Sequence, residues 1–387
     1  MENNFIAISS MGCISAAGKN IPETLHTFEQ GNVNIGKVTL FETVLDKPVF
    51  EVRNYEQKCK NRTLSLLFSA VEEAIKNYNG DITDGRYRVG VCIGTTVASQ
   101  LNNIEFYKKF KKTGDSDIAP VDDYLNGNLA EVIARKYKLK GPKIVVVNAC
   151  SSGADAIGIA LSWLKNNLCD IAIAGGADEL NKIPLCGFNS LGIMSDKACM
   201  PFDRDRKGLN LGEGAGVLIL EKEEIFSNRD IAPKLFVSGY GSASDAYHLT
   251  APHPEGKGLK AAIYEALDQA KIEYKDINFI NAHGTSTIDN DKVEGKAIKD
   301  IFDKGIKIFS TKGYTGHTLG AAGAIEAIFT ALTLKERWIP KNAGFKNEDE
   351  YIGISPIKIK TNVDGQYALS TSLAFGGNNA ALIICKK

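Results

Sequence analysis

Short runs of β-branched residues alternate with helical stretches along almost the whole chain, and this alternation restricts the fold more than any other feature. Strand character without regular polar alternation occurs at residues 88–94, 143–148, 170–174, 216–221, 276–282 and 306–310. Helical periodicity is clearest at 64–77, 128–138, 152–166, 258–270 and 322–335. Apolar strands followed by helices are typical of sheets covered on both faces, so the sequence predicts an α/β fold with largely parallel, buried sheets.

The helical segments 153–165 and 323–335 suggest an internal duplication. Each opens with Gly-Ala, closes with Leu-Lys and follows a strand and a turn of small residues. No Ser/Gly-rich or Pro-rich linker divides the chain, and the polar segment 223–233 is the plausible seam. We therefore predict two fused and related halves, residues 1–226 and 233–387.

The composition argues against several partners and locations. The 387 residues carry 46 basic and 46 acidic side chains, so no bulk charge favours nucleic acid or anionic lipid as a partner. No apolar run approaches the length of a membrane span, and the start of the chain lacks the basic segment of a signal peptide. The 8 cysteines lack paired spacing, which predicts reduced thiols in a cytoplasmic protein and no metal site.

Three loops rich in small residues follow predicted strands and carry the reactive side chains. Cys150 lies between a strand and a helix, where the helix dipole and free backbone N–H groups favour a nucleophilic thiolate. His283 and His317 lie in Gly- and Thr-rich loops after two later strands. Ligands of open α/β sheets bind beyond the carboxyl ends of the strands, so we expect these three groups to share one site. For each residue alone, a packed or hydrogen-bonded structural role is the alternative.

Motifs in and around these loops resemble those of the elongating β-ketoacyl-acyl-carrier-protein synthases, and they occur in that family's order across nearly the whole chain. They are Cys150-Ser-Ser, Pro201-Phe-Asp-Arg-Asp-Arg-Lys-Gly, Leu211-Gly-Glu-Gly-Ala-Gly, Asp245-Ala-Tyr-His-Leu-Thr-Ala-Pro, His283-Gly-Thr-Ser-Thr, Lys312 to Gly323, and Phe375-Gly-Gly-Asn-Asn. The resemblance implies a thiolase-type fold of five α/β/α/β/α layers with two pseudo-duplicated halves.

The resemblance also implies a decarboxylative Claisen condensation. Cys150 would hold an acyl chain as a thioester, and a malonyl group on a carrier protein would lose carbon dioxide to form the attacking enolate. His283 and His317, each neutral, would hold the enolate oxygen, and Lys312 would orient the His317 loop and add positive charge. Backbone N–H groups of Cys150 and Phe375 would form the oxyanion hole for acyl transfer.

Further residues are assigned to the substrate by the same resemblance. Thr285 and Thr287 would bind the pantetheine arm, with stabilisation of their own turn as the alternative. Phe375, Gly376 and Gly377 would form a gate to the acyl pocket. Part of that pocket, close to a dimer interface, would be lined by the stretch 97–109, which contains Leu101, Ile104, Phe106 and Tyr107.

The chain departs from the family pattern beside the gate. Ala374 replaces a flexible glycine, Leu373 replaces a phenylalanine, and Ile288 replaces a proline after the His283 motif. Alanine has fewer accessible backbone conformations than glycine, so we expect a stiffer gate and a shifted substrate preference.

The expected partner is an acyl carrier protein, which is acidic and would need a local basic patch on a net-neutral enzyme. The candidates are Lys58, Lys60, Arg62, Arg204 and Arg206, with an ordinary solvated surface as the alternative. The resemblance further implies a homodimer, or a heterodimer with a chain-length partner. It implies no cofactor beyond the phosphopantetheine of the carrier.

Other functions can be weighed on the same residues. A thiolase would need a second cysteine in a Cys-x-Gly loop, whereas Cys385 is followed by Lys-Lys. Chain-initiating and chalcone-type enzymes have asparagine where His317 stands, and a non-elongating chain-length partner typically lacks the nucleophile. A Cys-His hydrolase stays formally open. The pathway is also open between fatty acid, aryl polyene and polyketide synthesis.

Overall fold

The strands form two successive sets along the chain. The computed structural model describes residues 5–96, 98, 104–119, 121, 128–227, 229, 232–302 and 305–387. The first set is β1 (Ile6–Ser15), β2 (Val89–Gly94), β3 (Lys143–Val146), β4 (Ile171–Asp178) and β5 (Gly214–Glu221). The second set is β6 (Leu235–Ser244), β7 (Ile277–Asn281), β8 (Lys307–Phe309), β11 (Tyr367–Leu373) and β12 (Asn378–Lys386), with the short pair β9 (Trp338–Ile339) and β10 (Thr361–Asn362) between β8 and β11.

Both sets have the same strand order and the same pairing. The first set runs β3-β2-β4-β5-β1 and the second β8-β7-β11-β12-β6, with the two orders joined where β1 pairs antiparallel with β6. In each set the first two pairings are parallel and the last two are antiparallel. The predicted α/β fold with two pseudo-duplicated halves is therefore confirmed. The expectation of largely parallel pairing is wrong, since five of the nine pairings in the described sheet are antiparallel. The boundary between 226 and 233 stays a prediction, since residues 228, 230 and 231 lie outside the described ranges.

The helices complete five layers. They are α1 (Ile21–Gln30), α2 (Arg62–Lys76), α3 (Ile104–Thr113), α4 (Leu129–Lys136), α5 (Ser152–Lys165), α6 (Lys182–Ser190), α7 (Glu223–Ser227), α8 (Lys257–Ala270), α9 (Ile288–Ile301), α10 (Lys312–Thr315) and α11 (Ala322–Glu336). The helices α5 and α11 lie between the two strand sets, α2 and α4 cover the outer face of the first set, and α8 and α9 cover that of the second. This is the expected α/β/α/β/α order. Across the described ranges, no helix has both the length and the apolar character needed to cross a membrane.

The two central helices approach each other closely because their first turns are built from small residues. A Cβ on Gly153 would lie 2.8 Å from the backbone nitrogen of Ala324, so only glycine fits there. Helix α11 is buried on every side from Ala322 to Leu334, which accounts for its almost continuous apolar sequence. The loops that lead into α5 and α11 are consequently held against each other at the centre of the molecule.

Candidate active site

Cys150 lies in a sharp turn between β3 and α5. The preceding residue, Ala149, has a φ of 49°, a left-handed conformation that alanine rarely adopts. Asn148 and Cys150 form an isolated β-bridge across this turn. The thiol is buried and lines a cavity of about 250 Å³. The strained turn thus directs Sγ into the cavity rather than into the core.

Both predicted histidines meet Cys150 in this cavity. His317 Nε2 lies 3.1 Å from Cys150 Sγ. The His283 and His317 rings are almost perpendicular, at 86°, with centroids 5.1 Å apart. Nitrogen or sulfur atoms of all three side chains lie within 4.8 Å of one another. The first half of the chain supplies the thiol and the second half supplies both imidazoles.

Hydrogen bonds assign the proton of each histidine ring. The backbone N–H of Leu319 donates to His317 Nδ1 at 3.2 Å, and Lys312 Nζ lies 2.9 Å from His283 Nδ1. An ammonium group can only donate, so both Nδ1 atoms accept and the proton of each neutral ring is on Nε2. Burial, followed by the charge of Lys312, lowers the pKa of both imidazoles well below 6.5. Both rings are therefore neutral N–H donors at pH 7.

The same tautomers make the Cys150, His283 and His317 group a poor metal site. A metal would need the lone pair of each Nε2 and would move the ring protons to Nδ1. There they would face the N–H donors of Lys312 and Leu319. The three groups are close enough together to hold an ion. The Nε2–H groups of the two histidines, however, are suited to donate hydrogen bonds to an oxygen atom of a ligand.

Lys312 forms a buried ion pair with Glu326 directly behind His283. The two side chains are 1% and 2% exposed, and Glu326 Oε2 lies 3.9 Å from His283 Nδ1. Burial raises the pKa of Glu326 to about 7, although Lys312 acts in the opposite direction. Glu326 was not among the residues predicted from the sequence. Its signal was a single charged residue in the otherwise uncharged first thirteen positions of α11.

The protonation state of Cys150 corrects an expectation from the sequence. Burial raises the pKa of Cys150 to about 11, although Lys312 and a hydrogen bond from the Phe375 backbone N–H both lower it. Burial thus outweighs the helix terminus that was expected to favour a thiolate. The resting residue is a thiol at pH 7, so it must lose its proton as the acyl group arrives.

The predicted gate forms one wall of the cavity. The Phe375 ring stacks on Phe188, with centroids 5.5 Å apart and planes 17° apart. Gly376 and Gly377 have φ values of 85° and 79°, a region that favours glycine. Ala374 has a φ of −126°, an extended conformation open to any residue. The expected stiffness of Ala374 therefore concerns other conformations of the gate, not this one.

The loop after β7 supplies the predicted threonines. Thr285 and Thr287 line the cavity, and their hydroxyl oxygens are 2.9 Å apart. The loop is anchored by Glu294 of α9, which accepts the backbone N–H groups of His283 and Gly284, both at 2.8 Å. Glu294 was missed because α9 was not predicted. In the stretch 97–109, Leu101 lies outside the described residues, and Ile104, Phe106 and Tyr107 lie on α3 and not on this cavity.

The predicted docking patch is corrected at two positions. Arg62 is buried and donates two hydrogen bonds to Glu213, at 2.6 and 2.7 Å. Arg206 is 3% exposed and donates to Asp349 at 2.6 Å. Both guanidinium groups hold the fold together and cannot meet a partner protein. The other three candidates are exposed: Lys58, Lys60 and Arg204.

Five α/β/α/β/α layers, with a buried cysteine beside two neutral histidines at the junction of the halves, define a condensing enzyme of thiolase type. Residues 31–225 match the β-ketoacyl synthase N-terminal domain, and residues 236–346 match the β-ketoacyl synthase C-terminal domain. The chain belongs to the β-ketoacyl synthase family. The condensing acyltransferase activity expected from the sequence is confirmed at this level.

Relatives cover the full chain. The 3-oxoacyl-[acyl-carrier-protein] synthase 2 of Staphylococcus aureus (strain N315) is 33% identical, over 100% of this chain and 99% of the relative. The structure of the ishigamide ketosynthase/chain length factor has a TM-score of 0.93 and 29% identity, over 99% of both chains. The structure of a type II PKS acyl-carrier protein in complex with its ketosynthase contains a chain that matches this one with a TM-score of 0.90 and 27% identity, also over 99% of both chains.

Proposed function

We propose that this β-ketoacyl synthase joins an acyl chain held on Cys150 to a malonyl group delivered by an acyl carrier protein. In the first step Sγ forms a thioester with the acyl group, and the donor thiol leaves with the proton of Cys150. Malonyl thioester then loses carbon dioxide, and the resulting enolate carbon attacks the Cys150 thioester. The new carbon–carbon bond releases Sγ as a thiolate, which takes up a proton before the next cycle.

Two sets of N–H donors suit the two oxygens on which negative charge develops. The Nε2–H groups of His283 and His317 are available for the enolate oxygen of the malonyl thioester. Backbone N–H groups of Cys150 and Phe375 suit the acyl carbonyl, and that of Phe375 already donates to Sγ. The hydroxyl groups of Thr285 and Thr287 line the same cavity and suit the amides of a pantetheine arm.

The observation that carries this proposal is the 3.1 Å approach of His317 Nε2 to Cys150 Sγ beside a second neutral histidine. The test is incubation with acyl and malonyl carrier substrates, followed by mass analysis of the elongated β-ketoacyl product. A protein that is acylated on Cys150 but gives no product would contradict the proposal. A non-elongating chain-length partner, the alternative function, would form neither species.

For the pathway, we favour polyene or polyketide-type synthesis, such as that of aryl polyenes, over primary fatty acid synthesis. The fold likeness to the ishigamide ketosynthase/chain length factor supports this assignment. So do Leu373, Ala374 and Ile288, which line the cavity where the family pattern has other residues. Mass analysis of an acyl chain co-purified on Cys150 tests it: an unsaturated or polyketide chain is expected, and a saturated fatty acyl chain would contradict it.

A second subunit of the same fold, an identical copy or a chain-length partner, is proposed to pair along β3. In the described sheet β3 is an edge strand, where Ile144 is 40% exposed, and Val147, directly after this strand, is 63% exposed. The opposite edge, β8, is covered because the backbone N–H of Ile357 donates to Ile308 at 2.9 Å. An uncovered apolar edge favours pairing with another chain. Light scattering should detect a dimer that Ile144→Lys dissociates, and a monomeric wild-type protein would contradict this part.

Delivery by an acidic carrier protein is proposed to use the exposed Lys58, Lys60 and Arg204. The acyl-carrier protein found with its ketosynthase in a structural relative supports this kind of partner. Reversing the three charges should raise KM for the carrier-bound substrate more than KM for a small thioester. Equal KM changes for both substrates would count against the patch. We further propose a cytoplasmic enzyme that needs no resident cofactor or metal.

A further inference from the structure

A tyrosine from the second half reaches into the helix that follows the nucleophile. Tyr240 lies on β6, and its hydroxyl group donates to Asp155 Oδ1 at 2.8 Å. Asp155 is in the first turn of α5 and is 4% exposed. The tyrosine ring lies against Gly158, where a Cβ would come within 2.5 Å of three ring atoms. A glycine in the middle of α5 is therefore required to admit this ring.

The other carboxylate oxygen of Asp155 is bonded to the nucleophile turn itself. Oδ2 accepts hydrogen bonds from Asn148 Nδ2 at 2.6 Å and from the Ser151 hydroxyl group at 2.8 Å. These two residues enclose Ala149 and Cys150. One buried carboxylate thus ties both sides of the turn to Tyr240, which belongs to the other half of the molecule.

This connection matters because the turn is strained. A non-glycine residue at a φ of 49° persists only where the surrounding contacts hold it. If the turn relaxed, Sγ would move away from His317 Nε2, which now lies 3.1 Å from it. A displacement of about 1 Å is enough to slow a positioned reaction about a hundredfold.

We propose that Asp155 and Tyr240 are positioning residues that hold the Ala149–Cys150 turn so that Sγ faces the cavity and His317. Neither side chain touches the reacting atoms. The inference rests on the proposed function, in which Cys150 is the nucleophile, and adds to it the residues that fix the nucleophile's geometry. It predicts that the second half of the chain controls the reactivity of a cysteine in the first half.

The test compares two rates in the same protein. Tyr240→Phe should slow the alkylation of Cys150 by iodoacetamide about tenfold, because a hydrogen bond to a charged group is lost. The alkylation rate is measured by peptide mass analysis. Decarboxylation of a malonyl thioester, which depends on His283 and His317, should change less than about twofold. The matched control is Tyr78→Phe, which removes the hydroxyl group of another buried tyrosine, bonded to Arg229 and remote from the turn. It should leave both rates unchanged.

Variants of the carboxylate sharpen the test. Asp155→Asn should slow alkylation less than Asp155→Ala, since the amide can accept from Asn148 and Ser151 and donate to Tyr240. If Asp155→Ala does not fold, Tyr240→Phe still decides the question, because its ring keeps its packing against Gly158. An unchanged alkylation rate in Tyr240→Phe would overturn the proposal. An equal loss of the alkylation and decarboxylation rates would also overturn it, because it would show that Tyr240 has a general structural role. Failure of the proposed function is recognised separately, by the absence of β-ketoacyl product from the wild-type protein.

Discussion

In the first half of the molecule the loop that leads into the central helix carries Cys150, whereas the matching loop of the second half carries Lys312 and His317. Both loops follow the same strand of the repeated order, β3 in one half and β8 in the other. The topology therefore brings two equivalent loops together at the centre. It does not decide what they do, since one supplies a nucleophile and the other supplies hydrogen-bond donors.

A second pair of matching loops shows the same division. After β7 the chain presents His283 to the cavity, whereas after β2 it presents Thr95, whose hydroxyl group donates to Asp178 at 2.7 Å. Asp178 also accepts the backbone N–H of Gly320 at 2.7 Å, beside the His317 loop. The loop after β2 in the first half thus binds, through Asp178, to the His317 loop of the second half. Duplication supplied the scaffold, and the residue types in the loops made the halves complementary.

Removing the nucleophile should separate the two contributions most strongly. Cys150→Ser should lower condensation by about 10³ or more, because a hydroxyl group at its normal pKa is a poor substitute for a thiolate. Decarboxylation of a malonyl thioester should persist, since the second half is intact. Cys169→Ser, at another buried thiol, is the control and should keep both rates. Equal acylation of the wild-type and Cys150→Ser proteins at neutral pH would exclude Cys150 as the nucleophile.

Removing a donor tests the second half. His283→Ala should slow condensation by roughly 10²–10³, the usual loss for one oxyanion donor, while Cys150 still accepts an acyl group. Both steps can be followed by mass analysis of the enzyme and of the product. His26→Ala, remote from the cavity on α1, should behave as the wild type. A His283→Ala protein that condenses at full rate would remove this residue from the mechanism.

Lys312 belongs to the second half but acts on the nucleophile of the first. Because the pKa of Cys150 is about 11, alkylation by iodoacetamide should rise about tenfold per pH unit between pH 7 and 10. Lys312 lowers that pKa, so Lys312→Met should move the whole profile to higher pH. Lys222→Met, which removes a largely buried lysine elsewhere, should not. Superimposable profiles for wild type and Lys312→Met would mean that the two halves are not coupled through this charge.

The carboxyl group behind Lys312 predicts a smaller effect, on stability. The pKa of Glu326 is raised from 4.5 to about 7, so the native state binds this proton more tightly than the unfolded state does. Its contribution to stability is complete below pH 4.5 and is lost as the pH rises to 7. Glu326→Gln should reduce this fall in unfolding free energy by about 3 kcal/mol, since each pKa unit corresponds to about 1.4 kcal/mol, as measured by urea denaturation across that range. The exposed Glu348→Gln is the control, and identical pH profiles for Glu326→Gln and wild type would contradict the prediction.

The gate gives the smallest expected effect. Ala374→Gly together with Leu373→Phe should restore the backbone freedom and the aromatic bulk of the family pattern. In competition between primers of different length, we expect the double variant to change the ratio of products by about twofold, towards a broader range of acyl chains. Ile14→Val, in the core away from the cavity, is a neutral reference. An unchanged product distribution in the double variant would mean that Leu373 and Ala374 do not determine which acyl chains are accepted. It would not count against the condensing activity itself.

Sequence pattern predicted the strands β2, β3, β4, β5, β7 and β8, but it missed β1, β6, β11 and β12. Glycine is one reason. A Cβ on Gly12 of β1 would lie 2.0 Å from the carbonyl oxygen of Ala70, and one on Gly239 of β6 would lie 2.1 Å from that of Ala266. Those glycines let α2 and α8 pack closely, and they interrupt the β-branched runs on which prediction depends. The helix α9 was missed for a related reason, since its buried face includes Asn290, Asp291 and Glu294.

The sequence by itself determined the layered α/β architecture, the loops that carry Cys150, His283 and His317, and the family to which these residues belong. Those features depend on local patterns of residue type, which the chain displays directly. The tertiary structure alone decided which charges are buried. In the folded protein Arg62 and Arg206, which were docking candidates, form internal ion pairs, and Glu326 lies behind Lys312. Burial also raises the pKa of Cys150 to about 11. Solvation and charge pairing depend on residues far apart in the chain, so no local pattern can reveal them.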